Sequence, residues 1–170
     1  VVLGKGYAAE TAFKVDAGDT VTNTAADAVI SVSAISADLE AADNTLLTGS
    51  DKAGVINTLN ITNASTATVD LASDISGFDV INILDYAVTS GNDITLSMAS
   101  YASAVTIDAT SLDKGEVVTI TGTPAGALTY KGGNGGDTIV MSSAATGDNI
   151  TTGTGTNVIT AAANITYLDT

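Results

Sequence analysis

The residues whose types and spacing could do chemistry lie between Lys131 and Val140, which read Lys-Gly-Gly-Asn-Gly-Gly-Asp-Thr-Ile-Val. Gly132, Gly133, Gly135, Asp137 and Ile139 fill every fixed position of the nonapeptide pattern G-G-x-G-x-D-x-U-x, where U is a large aliphatic residue. Glycines let the backbone take turn conformations that point carbonyl oxygens inward, the aspartate adds a hard anionic oxygen, and the aliphatic residue two places on starts a short strand. Oxygen donors in that arrangement suit calcium.

A degenerate second copy begins 20 residues later, at Thr152. It keeps Gly153, Gly155 and Ile159 but has Thr152 where the first glycine belongs and Asn157 where the aspartate belongs. Asn157 lacks the charge of an aspartate, which weakens a site tuned by ligand charge. Midway between the copies, Thr146-Gly147-Asp148-Asn149-Ile150 repeats the Gly-Asp-x-aliphatic ending and puts Asp148 on the opposite edge. The competing account is purely structural: the glycines turn the chain and the aspartate caps it. Asp19, Asp51 and Asp93 sit in comparable turns without the earlier glycines and are expected to bond their own backbone.

The nonapeptide, its second copy and the Asp-, Thr- and Ala-rich strands before them resemble the RTX group of secreted calcium-binding bacterial proteins. More narrowly, Leu46-Leu47-Thr48-Gly49-Ser50, Asn57-Thr58-Leu59-Asn60-Ile61 and Ile75-Ser76-Gly77-Phe78-Asp79-Val80-Ile81-Asn82-Ile83 resemble the long β-strand repeats of bacterial S-layer proteins and giant adhesins. The resemblance implies calcium as ligand, with Asp137 as side-chain ligand, Gly133 and Gly135 as carbonyl donors and Asn134 lining the turn. It implies Gly153, Gly155 and Asn157 as the stacked second set, with Asp148 on the other edge. The register is looser than in a strict RTX roll, whose two nonapeptides make a coil of about 18 residues. The function implied is structural: a component of an S-layer, a matrix fibre or an adhesin stalk at the bacterial surface, assembled as a homo-oligomer or polymer. Calcium that binds only the folded coil would stabilise it by mass action, and open coil ends and strand edges would favour head-to-tail or lateral assembly.

Composition narrows the function classes. Five Lys face nineteen acidic residues in 170, for a formal charge of -14, with no His, no Cys and no Trp. That balance disfavours nucleic acid and anionic membranes as partners and favours cations. A serine or cysteine nucleophile with a histidine base is excluded outright, and acid pairs such as Asp70 with Asp74 or Asp108 with Asp113 lack an arginine or tryptophan platform for sugar. The chain is read as non-enzymatic. No apolar run reaches the roughly 18 residues of a membrane span, and no membrane insertion is expected. Beginning at Val1, the chain is expected to be a mature or excised piece of a longer protein, with any export signal outside it.

These turns must be positioned by strands. Val1 to Ala12 reads as an edge strand or a join, and residues 1–44 as opening strands with a short helical insert at Ser36 to Ala42, where Ser36 can cap. Residues 45–170 read as coils of one continuous domain, with the glycine-rich turns at 132–157. Aliphatic centres at Leu59, Val69, Ile81, Ile94, Val105, Val118, Leu128, Ile139, Ile150 and Ile159 are spaced about 11 residues apart. Two folds give that spacing: a β-sandwich, or a parallel β-solenoid with two strands per coil of roughly 20 to 22 residues. Scarce large aromatics, abundant small residues and recurring phrases such as Val105-Thr106-Ile107 and Val118-Thr119-Ile120 favour the solenoid. The sandwich would make the chain a carbohydrate- or ligand-binding module of an adhesin, and a further alternative is a non-catalytic β-helix module of a secreted enzyme. Thr-x-Thr phrases at Thr20, Thr66, Thr119 and Thr152 could form a hydroxyl ladder like that of solenoid ice-binding proteins, but in the sequence they do not recur at a fixed place in each coil.

Overall fold

The computed structural model describes residues 2–3, 11–24, 28–71, 74–86, 91–141, 147–161 and 166–168. Most of the opening stretch and the turn positions Ser73, Ser90 and Thr146 lie outside them. The strands are β1 (Val2–Leu3), β2 (Thr11–Lys14), β3 (Thr20–Asn23), β4 (Ile30–Ile35), β5 (Leu46–Thr48), β6 (Thr58–Asn63), β7 (Ala67–Asp70), β8 (Ile75–Ser76) and β9 (Val80–Asp85). They continue as β10 (Ile94–Ser97), β11 (Val105–Asp108), β12 (Val118–Thr121), β13 (Leu128–Lys131), β14 (Thr138–Met141), β15 (Asn149–Thr151), β16 (Val158–Ala161) and β17 (Thr166–Leu168).

Every ladder between these strands is parallel, which overturns the sandwich alternative and gives a β-solenoid of about six turns. An eight-stranded sheet runs from β2 through β4, β6, β9, β11, β13 and β15 to β17, so one sheet crosses the boundary at residue 44. A four-stranded sheet (β1, β3, β5, β8) serves the early coils, and a five-stranded sheet (β7, β10, β12, β14, β16) serves the later ones.

Coil length is about 23 residues, as between Val105 and Leu128, but it varies. Partners lie 27 residues apart between Ser31 and Thr58, 20 between Thr129 and Asn149, and 17 between Asn149 and Thr166. The early coils are longer because a third side is interposed. The expected helical insert is two single 3-10 turns, Ser36–Leu39 and Ala41–Asp43, joined to β7 through an antiparallel bridge between Glu40 and Val69. Ser36 does not cap its own turn; it is buried and its hydroxyl donates to the Ser65 carbonyl at 3.0 Å.

Alternation along each strand fills the interior. On the eight-stranded sheet Val32, Leu59, Ile81, Ile107, Tyr130 and Ile150 stand in one register column, all 0% exposed. Facing them, Val69, Leu96, Ile120, Ile139 and Ile159 form a second column. Burying each such side chain is worth about 1.5–3 kcal/mol. Outside, the five-stranded sheet places Thr68, Thr95, Thr119 and Thr138 side by side, followed by Val158. Threonines therefore do recur at a fixed place in consecutive coils, contrary to the reading from sequence.

Candidate functional site

The glycine-rich turns sit where the chain passes from β13 to β14 and from β15 to β16. They pack one coil directly on the next. A Cβ on Gly135 would strike the Glu116 carbonyl, and one on Gly133 would come within 2.6 Å of the Ala109 carbonyl. Turns at Gly115, Gly135 and Gly155 together line a shallow recess of about 650 Å³, edged by Lys114, Asn134 and Thr154.

Most of the expected donors are already engaged within the protein. The Gly133 carbonyl accepts the Thr154 N–H at 3.2 Å, and Asn134 Oδ1 accepts the Thr154 hydroxyl at 3.3 Å. The Gly153 carbonyl accepts from the Asn157 amide at 3.3 Å, and Asn157 Oδ1 accepts the Asp137 N–H at 2.9 Å. Asp148 Oδ1 accepts the Leu128 N–H at 2.8 Å on the other edge of the stack. Gly155 packs against the Gly135 carbonyl with positive φ, a conformation that favours glycine. Asp137 is 2% exposed, and its Oδ2 lies against Gly132, so the one charged ligand expected at this turn faces inward. No three carboxylates of the described residues come together around a point that could hold a metal. As arranged, the eight positions do not fit a calcium cage, whose ion takes about six to eight oxygens.

What the aspartates and asparagines do instead is repeat. Asn57, Asp79, Asp93, Asp137, Asp148 and Asn157 each immediately precede a strand. Asn57 Oδ1 accepts the Ile30 N–H at 3.3 Å, Asp79 Oδ2 the Asn57 N–H at 2.8 Å, and Asp93 Oδ1 the Val117 N–H at 3.0 Å. The Asp137 carboxylate accepts from the Val118 backbone. Each side chain thus ties the start of its strand to the matching place one coil away, satisfying a backbone donor that the ladder leaves over. Asn57 and Asp79 were not singled out from the sequence. Their signal is an Asx residue directly before a strand, which the turn composition around Asp137 obscured.

Burial carries an electrostatic consequence. Desolvation raises Asp137 to about 6, against the lowering effect of Tyr130 and of the Val118 N–H. Burial foremost, and then the charge of Asp137, push the Tyr130 hydroxyl above its ordinary value. Although the two groups are neighbours, neither the Tyr130 hydroxyl nor Asp137 Oδ2 makes a hydrogen bond of acceptable geometry. Glu116, 1% exposed, is raised by burial and accepts from the Asp113 N–H at 3.1 Å and the Asn63 amide at 3.4 Å.

Compared with protein-family models, curated proteins and solved structures, the chain matches none.

Proposed function

We propose that the chain is a structural segment of a secreted, RTX-like bacterial surface assembly, an S-layer or extracellular matrix fibre, whose task is to supply a stiff stack of parallel coils. The observation that carries this reading is the continuity of register: an inward aliphatic column and strand-start Asx clasps run from coil to coil. Calcium enters the reading as a counter-ion of the exterior. With a formal charge of -14, copies of the chain repel one another, and divalent cations in the medium screen that repulsion and bridge neighbouring acidic surfaces. No helix among the described residues is long and apolar enough to cross a membrane.

Electron microscopy and light scattering of the full chain in calcium, in magnesium and in chelator test the proposal. Ordered filaments or lattices should form in calcium. A monomer under all three conditions would overturn it.

A second reading has one specific observation in its favour, the in-register threonines Thr68, Thr95, Thr119 and Thr138. A flat column of hydroxyls at the strand spacing of about 4.8 Å is a surface on which water can order, as in ice-binding solenoids. Ice-recrystallisation inhibition that is lost in Thr95→Lys/Thr119→Lys would support it, and growth of ice crystals at the buffer rate would dismiss it.

A further inference from the structure

Three side-chain oxygens inside the last coils have no hydrogen-bonding partner in the protein: the Tyr130 hydroxyl, Asp137 Oδ2 and the Thr152 hydroxyl. The residues are 0%, 2% and 0% exposed. They come from three places on neighbouring coils, Tyr130 within β13, Asp137 at the start of β14 and Thr152 at the end of β15. Gly132 brings them together. A Cβ there would strike both Asp137 Oδ2 and the Thr152 backbone, and Tyr130 lies close enough to Asp137 for the carboxylate charge to act on its hydroxyl.

Tyr130 also occupies a place in the interior column otherwise held by aliphatics, between Ile107 and Ile150. A buried phenol in such a place ordinarily finds a partner for its hydroxyl. The nearby charges are committed elsewhere. Lys131 is on the outer face, 3.4 Å from Asp108, and Glu116 is held by the Asp113 N–H and Asn63.

Coordination number decides what the three oxygens take. A calcium ion requires about six to eight oxygens and magnesium a near-ideal octahedron, whereas a buried water is held by about two to four polar partners and typically makes three hydrogen bonds. Two hydroxyls that can donate or accept, with one carboxylate oxygen that accepts, match water in number and polarity.

We propose that Tyr130, Asp137 and Thr152 form a binding site for one internal water molecule, which joins β13, β14 and β15 across neighbouring coils. Thr152 then has a reason to depart from glycine in the second copy of the nonapeptide: its hydroxyl supplies the third partner.

The sign of Tyr130→Phe in the full chain at neutral pH tests the site. Where a water bridges the three groups, losing the hydroxyl removes one of its hydrogen bonds, and the unfolding equilibrium constant rises roughly fivefold. Where the hydroxyl is an unpaired buried group, the phenylalanine variant is as stable as the wild type or more so, and the proposal falls. A second measurement uses the wild type alone. Proton NMR should show cross-relaxation between a long-lived water and the Tyr130 and Thr152 hydroxyl protons, unchanged when calcium or sodium chloride is added. Absence of that cross-relaxation, or a calcium-dependent shift at Tyr130 and Asp137 that chelator reverses, would overturn the assignment to water.

Discussion

Tyr101 and Tyr130 are both buried tyrosines of the solenoid, and they close their coils in different ways. The Tyr101 hydroxyl donates to the Phe78 carbonyl at 2.6 Å and accepts the Phe78 N–H at 2.9 Å, while its own carbonyl accepts the Ala125 N–H at 2.8 Å. One side chain therefore clamps three successive coils with backbone partners alone. Tyr130 has no such backbone partner and faces a buried carboxyl group instead. In the middle of the stack coil-to-coil closure is local and uncharged; near its C-terminal end it depends on glycine contacts and on the ionisation of Asp137.

The largest expected effect comes from the glycine contacts. Gly135→Ala forces a methyl into the Glu116 carbonyl, and with backbone on both sides there is no flexible side chain to yield. It should cost upward of about 3 kcal/mol, read as a loss of the cooperative thermal transition or a large fall in midpoint. Gly54→Ala is the control: its Cβ meets nothing within 4 Å, and only its positive φ of 87° opposes the change, for about 1 kcal/mol.

Tyr101→Phe leaves the Phe78 N–H and carbonyl unpaired in the interior, for a loss of about 2–3 kcal/mol by urea denaturation. This should exceed the effect of Tyr130→Phe, and equal losses would erase the contrast between the two tyrosines.

Ionisation gives the third effect. Asp137 holds its proton in the fold up to about pH 6, while the unfolded chain releases it near 4. Between those values the folded state binds the extra proton. The associated stabilisation is therefore complete below the unfolded value and is lost as pH rises through about 6, at most about 2 kcal/mol. Hydrogen exchange in β13 to β15 should accelerate across that range, and Asp137→Asn should flatten the response. Tyr101, pushed up to about 12 by burial despite its bond to Phe78, should leave its coils unaffected over the same range.

Asn157→Ala removes the acceptor of the Asp137 N–H and should cost about 1 kcal/mol. Thr138→Val, on the outer face, should stay within about 0.5 kcal/mol by the same denaturation measurement.

Much of the interior was legible in the sequence. Leu59, Ile81, Ile139 and Ile150 mark their strands because a narrow coil takes one or two large aliphatics per side, and small residues elsewhere leave that rhythm visible. What sequence spacing hides is alignment across coils of unequal length. Thr68, Thr95, Thr119 and Thr138 are adjacent in space but separated by 27, 24 and 19 residues, so no fixed period reveals them. The strand-start clasps are hidden for the same reason. The glycine-rich turn was read for its donors, and its local pattern was correctly located. Whether a carboxylate turns outward to an ion or inward to a neighbouring coil depends on how closely the next coil stacks, and nine residues do not encode that distance.

The central claim is that the glycine-rich coils are closed by their own hydrogen bonds, with calcium acting between molecules. It is tested most directly by amide hydrogen exchange of the monomer at Asn134, Asp137, Thr154 and Val158, whose N–H groups are bonded between coils. The account predicts equal protection in calcium and in chelator. Protection at these four amides that appears only when calcium is present would contradict it.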